Sequence, residues 1–377
     1  MPYTLTRLLY AKDEVIYSLL NELLLQENLE ACFFWCGELF YSEFDHLYNI
    51  IWKIYFDFYA EFNPHLEKYI QKKQILWEKE KNIKHVLLIL YNMFHLKSSS
   101  TTFLLRLYVE QAHENITLYR KSNHKKWEWL HQYPTHYHSL LKALCKNHLM
   151  NAAVYLNQLM VYNHANDIYT TIIKYYREHV PLVHQNIIDA KWKNRGWYND
   201  FHGLLSLIVH LQTPIDNISH PLVFKIPKMK DIQYIEDLNN EILKRHAAGN
   251  AIYRILQDFR LFKINNMIGV FLLKRNSLRD YKDEMNHYWE YYTNGCPLWK
   301  KRFEKCNATF DHKTLLETTL VKSYPRFDEN YNLEYDEQSL SVKSMSTCFI
   351  KNISLENWHR KIFKIAPKIF IAGKIVY

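Results

Sequence analysis

A chain of 377 residues with 48% hydrophobic and 23% charged side chains can bury a large core and is too apolar to remain a disordered polymer. Its seven glycines are about 2% of the residues against roughly 7% in average usage, which argues against doubly wound nucleotide folds and sheet-rich architectures. The formal charge of +9 is modest for this length, so its distribution says more than its size.

Residues 13–26 read as the first amphipathic helix, with Val15, Ile16, Leu19, Leu20 and Leu23 on one face. The stretch 28–63 then packs thirteen aromatic side chains around a single glycine. Its first half places apolar residues at Leu29, Cys32, Phe33, Cys36, Leu39 and Phe40. From Phe44 the helical period continues through Leu47, Tyr48, Ile51, Trp52, Tyr55, Phe58, Tyr59 and Phe62, so two antiparallel helices with wide buried faces are expected. Asn63-Pro64 is a breaker, because proline pushes its predecessor out of helical geometry. Further helices are expected at 65–80, 83–96, 102–120, 135–148, 151–160 and 166–178, with the loop Ser98-Ser99-Ser100-Thr101 supplying an N-cap. A spacing of roughly 17–20 residues per helix suits stacked hairpins. No consensus recurs at periods of about 33 to 45 residues, so the array is irregular.

The texture changes over 213–231. Pro214, Pro221 and Pro227 exclude helix there, while Ile215, Ile218, Leu222, Val223, Phe224 and Ile226 are too apolar for a free linker. An extended strap packed over a helical body is expected. Helices resume at 231–246, 251–275 and around 281–292. Beyond Pro325 an acidic, tyrosine-rich stretch gives way to a Ser/Thr/Val/Ile segment at 339–353 and a basic tail, where a short sheet is expected. The fold class is therefore mainly α: a helical array at 1–212, the strap at 213–231, a second helical region at 232–310 and a small mixed segment at 311–377.

Cys32 and Cys36 share one helical face, a spacing that rarely suits a disulfide, and no C-x-x-C pair occurs. The first fifteen residues lack the apolar core of a signal peptide. No uncharged apolar run approaches the about 18 residues of a membrane span. A soluble intracellular protein with reduced, mostly buried thiols follows.

Phosphate-loop, dinucleotide, nucleophile-elbow and H-E-x-x-H motifs are all missing from the sequence, and no catalytic residue, cofactor or metal is expected. His131, His136, His138, Cys145 and His148 form the densest group of imidazole and thiol ligands. Their spacing matches no standard finger, and Leu140, Leu141 and Leu144 make Cys145 read as core. Carboxylates at Asp328, Glu329, Glu334, Asp336 and Glu337, with Lys343 and Lys351 beyond, are of the type that holds magnesium in a nuclease; their order and spacing do not fit one cleanly, and a solvated acidic loop explains them. The net charge is +6 over 71–130, −4 over 307–340 and +6 over 341–377, blocks that solvated helix faces also produce.

Basic residues interleaved with aromatics form the best functional signal. Lys121, His124, Lys125, Lys126, Trp127 and Trp129 make one group, Lys191, Trp192, Lys193, Arg195 and Trp197 a second, and Trp299, Lys300, Lys301, Arg302 and Phe303 a third. Cations suit phosphates and exposed rings stack on bases, so these groups are the candidate RNA or single-stranded DNA contacts.

The runs CFFWCGELFYSEF and WKIYFDFYAEFNP, with CPLWKKRF and YDEQSLSVK, resemble uncharacterised helix-rich proteins of large cytoplasmic DNA viruses of protists. The resemblance implies a viral source, with the host cytoplasm or the virion as location, and carries no activity or site residue. A non-enzymatic scaffold or adaptor with a protein partner is the expectation, in viral replication or assembly. A nucleic-acid-binding factor is the alternative, and a nuclease the third.

Overall fold

The computed structural model describes residues 4–111, 125–179, 200–218, 224–247, 288–315, 317–319, 354–365, 370–371 and 374–375. Over these the chain is mainly α, as expected from the helical periods. The expected helix at 251–275, the segment at 339–353 and the acidic cluster with its two lysines lie outside the described residues.

Helix α1 (Lys12–Leu25) packs against α2 (Leu29–Tyr41), which starts where the Asn28 side chain accepts the Ala31 amide at 2.9 Å. The three-residue link between them makes an antiparallel hairpin. Helix α3 (Leu47–Ile54) continues directly into a π-helical turn, Tyr55–Tyr59. Two features of the expected second helix are thereby corrected. Phe44 lies in the preceding turn, where Glu43 takes φ 61°, and the helix begins three residues later. The π turn inserts an extra residue per turn, so Asp57 faces the core among apolar neighbours that a strict 3.6 period would not predict beside it.

Helix α4 (Pro64–Glu80) opens with Pro64 in its first turn, where the missing N–H costs nothing, and pairs with α5 (Lys84–Phe94). Helix α6 (Thr101–Gln111) packs on the π turn. After 3₁₀ turns at Lys125–Gln132 and Thr135–Tyr137 come α7 (His138–Cys145), α8 (Leu149–Tyr162) and α9 (Ala165–His179). Helix α10 (Phe201–Gln212), capped by the Asp200 carboxylate on the Gly203 amide at 2.8 Å, is buried along nearly its whole length against α6, α8, α9 and the π turn. With glycine scarce, left-handed positions at or just beyond helix ends fall to Gln26, Lys81, Asn147 and Lys364.

The strap is shorter than expected. A 3₁₀ turn at Ile215–Asn217 follows Pro214, residues 224–228 run without regular structure, and α11 (Met229–Ala247) starts two residues earlier than the sequence suggested. Helix α11 lies on α2, where a Cβ on Gly37 would come within 3.2 Å of Ile235 Cγ2. Helices α12 (Trp289–Thr293) and α13 (Pro297–Lys305) precede a hairpin of β1 (Ala308–Phe310) with β2 (Glu317–Thr319). Helix α14 (Leu355–Phe363) and the pair β3 (Phe370–Ile371) with β4 (Lys374–Ile375) complete the described chain.

One core takes side chains from every region. Trp52 and Tyr55 are buried, and Trp35 lies edge-on to Tyr10 at 5.2 Å. The N-terminal turn acts as a hub: Arg7 pairs with buried Glu38 at 2.9 Å, donates to Asn239 on α11, and accepts the Trp299 indole N–H on its carbonyl at 3.2 Å. Trp358 on α14 sits against Phe58, Phe103 and Phe363.

Candidate functional site

Lys121, Lys191, Trp192, Lys193, Arg195 and Trp197 lie outside the described residues, as do the side chains of Lys125 and Lys126. Trp127 is described. Its ring is half-buried, and Lys142 of α7 and Lys146, the residue after that helix, bring their ammonium groups to 5.5 and 5.6 Å from its centre. The sequence did not point to these two lysines, because only the fold of α7 against the 3₁₀ turn brings them to the ring. Trp129 stands beside the His179 ring at 4.5 Å and Tyr175 at 5.5 Å. The Tyr133 hydroxyl donates to Glu178, and Gln132 Nε2 donates to the same carboxylate at 2.9 Å. Burial, with Glu178 adjacent, pushes the Tyr133 hydroxyl well above its ordinary pKa. Cation and aromatic face alternate here, with the Glu178 carboxylate at the edge.

The third group is built differently from the exposed platform expected. Lys300 and Lys301 are exposed, but Trp299 and Phe303 are buried and leave no ring to stack on a base. Amphipathic α13 turns its aromatics inward, and its lysines remain solvated. Lys301 pairs with Glu43, which raises its pKa, and Arg302 lies 4.4 Å over the Trp299 ring.

Cys145 is also corrected: it is exposed at the end of α7, while Leu140, Leu141 and Leu144 are buried. The helix ends at Cys145, so the apolar stripe stops one position short of it. His138 Nε2 meets the Tyr133 carbonyl at 2.9 Å. No group of metal-ligating side chains with suitable geometry occurs among the described residues.

A layer of buried charge beneath the π turn was not anticipated. Arg106 on α6 reaches both oxygens of Asp57, from Nη2 at 2.9 Å and Nε at 3.3 Å, and its Nη1 meets Glu110 at 2.9 Å. His202 Nε2 on α10 lies 3.3 Å from the Asp57 carboxylate. Burial raises the carboxyl pKa of Asp57, yet the charges of Arg106 and His202 and the Arg106 hydrogen bonds outweigh it and hold the group down at about 2. Nearby, Ser100 Oγ meets His359 Nε2 at 2.8 Å, and His359 Nδ1 meets the Ile365 carbonyl at 3.0 Å. The carbonyl accepts only, so Nδ1 carries the proton and Nε2 accepts from the serine hydroxyl. In a cleft such a pair makes a nucleophile and its base. Here both residues are buried, and the pair fastens α14 to the start of α6.

Comparison with known protein families, curated proteins and solved structures returned no match. Among the described residues no helix is long and apolar enough to cross a membrane.

Proposed function

We propose that the chain is a non-enzymatic scaffold or adaptor that holds a protein partner. One observation carries this reading. Of the eight strongly exposed large hydrophobic side chains among the described residues, four lie on the strap and α11: Ile226 at 74%, Met229 at 62%, Tyr234 at 39% and Leu243 at 46% exposure. Ile232, Ile235 and Ile242 of the same helix are buried. Apolar side chains concentrated outside a well-filled core suit protein contact. Buried ion pairs such as Arg7–Glu38 and Arg106–Asp57 join distant segments, as a rigid body requires. We propose viral replication or assembly as the setting of that role, in host cytoplasm or virion, because the resemblance to proteins of large cytoplasmic DNA viruses implies a viral source.

The test is a quantitative pulldown from expressing cells with the native chain and with Ile226→Ser, Met229→Ser, Tyr234→Ser and Leu243→Ser combined. A partner enriched by the native chain and lost with the variant is the expected result. No enrichment over a mock, or enrichment the substitutions leave intact, counts against the reading.

The nucleic-acid reading is favoured by the convergence of Lys142 and Lys146 on Trp127. It requires affinity for RNA or single-stranded DNA that falls steeply with salt and weakens on Lys142→Ala/Lys146→Ala. Salt-independent or absent binding rejects it.

A further inference from the structure

The α4–α5 hairpin carries an extended segment in a way that reads backbone as well as side chain. Asn92 on α5 is buried, and its amide oxygen accepts the Lys225 N–H at 2.9 Å while its amide nitrogen donates to the Lys225 carbonyl at 3.0 Å. The same nitrogen also donates to the Leu88 carbonyl at 2.7 Å, which fixes the rotamer from within the helix. One side-chain amide thus copies the paired donor and acceptor of a neighbouring β-strand, a recognition that ignores the identity of residue 225. Lys225 and Ile226 point outward and are exposed.

Specificity comes from the flanking anchors. Phe224 stacks on Tyr69 of α4 with ring centres 4.1 Å apart and planes 17° from parallel. Lys73, one turn along α4, holds its ammonium 5.3 Å from the other partner of that stack, Tyr69. Pro227 is buried three residues after Phe224. Half-buried Phe224 and buried Pro227 stand at i and i+3 with two exposed residues between them, the three-residue spacing of a polyproline-type helix, which makes no hydrogen bonds of its own and leaves its backbone free for a clamp.

We propose that Tyr69 and Asn92 form a peptide-binding site for extended Phe-x-x-Pro segments, and that the chain's own Phe224–Pro227 occupies it as an internal ligand. A partner carrying such a segment competes with the strap, and its arrival frees 224–228 ahead of α11. Ile226 belongs both to this segment and to the pulldown variant above, but Tyr69 and Asn92 are untouched in that variant, so failure of the peptide test at Asn92 is distinguishable from failure of the pulldown.

The probe is an N-acetylated peptide with the sequence of residues 224–230 and a C-terminal fluorescein, titrated with the full chain and followed by fluorescence anisotropy. The native chain should bind it at least about tenfold more weakly than Phe224→Ala, because a tethered ligand competes at an effective concentration near millimolar. Asn92→Leu in the Phe224→Ala background should abolish binding, as should Phe→Ala in the peptide. Hydrogen exchange of the Lys225 amide in the native chain gives a second readout that needs no variant, and saturating peptide should accelerate it. The proposal is overturned by peptide binding that survives Asn92→Leu. It is equally overturned if Phe224→Ala binds no peptide and native Lys225 exchange does not respond.

Discussion

Replacing Asp57 with asparagine removes a charge from the most deeply buried ion pair of the π turn while keeping its shape. The change leaves buried Arg106 with the part-exposed Glu110 as its remaining carboxylate partner among the described residues. Breaking such a pair from one side costs about 3–5 kcal/mol, because an uncompensated charge remains in the interior. The pH dependence has a definite sign. The folded pKa of about 2 lies below the ordinary 3.8, so the native carboxylate contributes fully above pH 4. That contribution is lost as pH falls from about 4 to about 2. The shift corresponds to about 2.5 kcal/mol. Urea unfolding followed by tryptophan fluorescence, at constant ionic strength from pH 7 to pH 2, measures it as the gap between native chain and variant. That gap should narrow by about 2 kcal/mol by pH 2, where the folded carboxyl is half protonated. A constant gap would refute the assignment of Asp57 as a charged partner of Arg106. The double change Asp57→Leu/Arg106→Met should be more stable than Arg106→Met alone, since it leaves no charge unpaired in the core.

Three further outcomes follow from the packing. His359 is held neutral by burial, only partly offset by the Ile365 carbonyl, so its folded pKa lies below 6.5. Its contribution is complete above pH 6.5 and fades as pH falls through that value; hydrogen exchange of α14, corrected for intrinsic rate, should lose protection between pH 7.5 and 5.5, and unchanged protection counts against it. Gly37→Leu should lift α11 from α2, since even a Cβ meets Ile235 at 3.2 Å; faster exchange across 229–247, with α1 protection retained, is the expected pattern, and native protection of α11 contradicts it. Alkylation mapped by mass spectrometry should modify exposed Cys145 well before buried Cys32, Cys36 and Cys296. Burial raises the thiol pKa of all three, that of Cys296 to about 11, and equal labelling rates would count against this order.

Periodicity was enough to predict the helical character of this chain. The apolar stripes of α1, α2, α4, α5, α8 and α9, the break at Asn63-Pro64 and the loss of helix around Pro214 all rest on local rules of spacing and backbone geometry, which operate within a few residues. Helix ends were less legible: Phe44 continues an apolar pattern that the backbone does not follow, while α11 begins at Met229, before the residue at which the sequence suggests a helix. What tertiary structure alone decided are meetings across long stretches of chain: Asn92 with Lys225, Ser100 with His359, Arg106 with Asp57, and Lys142 and Lys146 with Trp127. The sequence does not show whether Trp299 faces solvent or core, since an amphipathic helix with basic and aromatic residues satisfies both until a neighbour covers one face; here the N-terminal turn covers it.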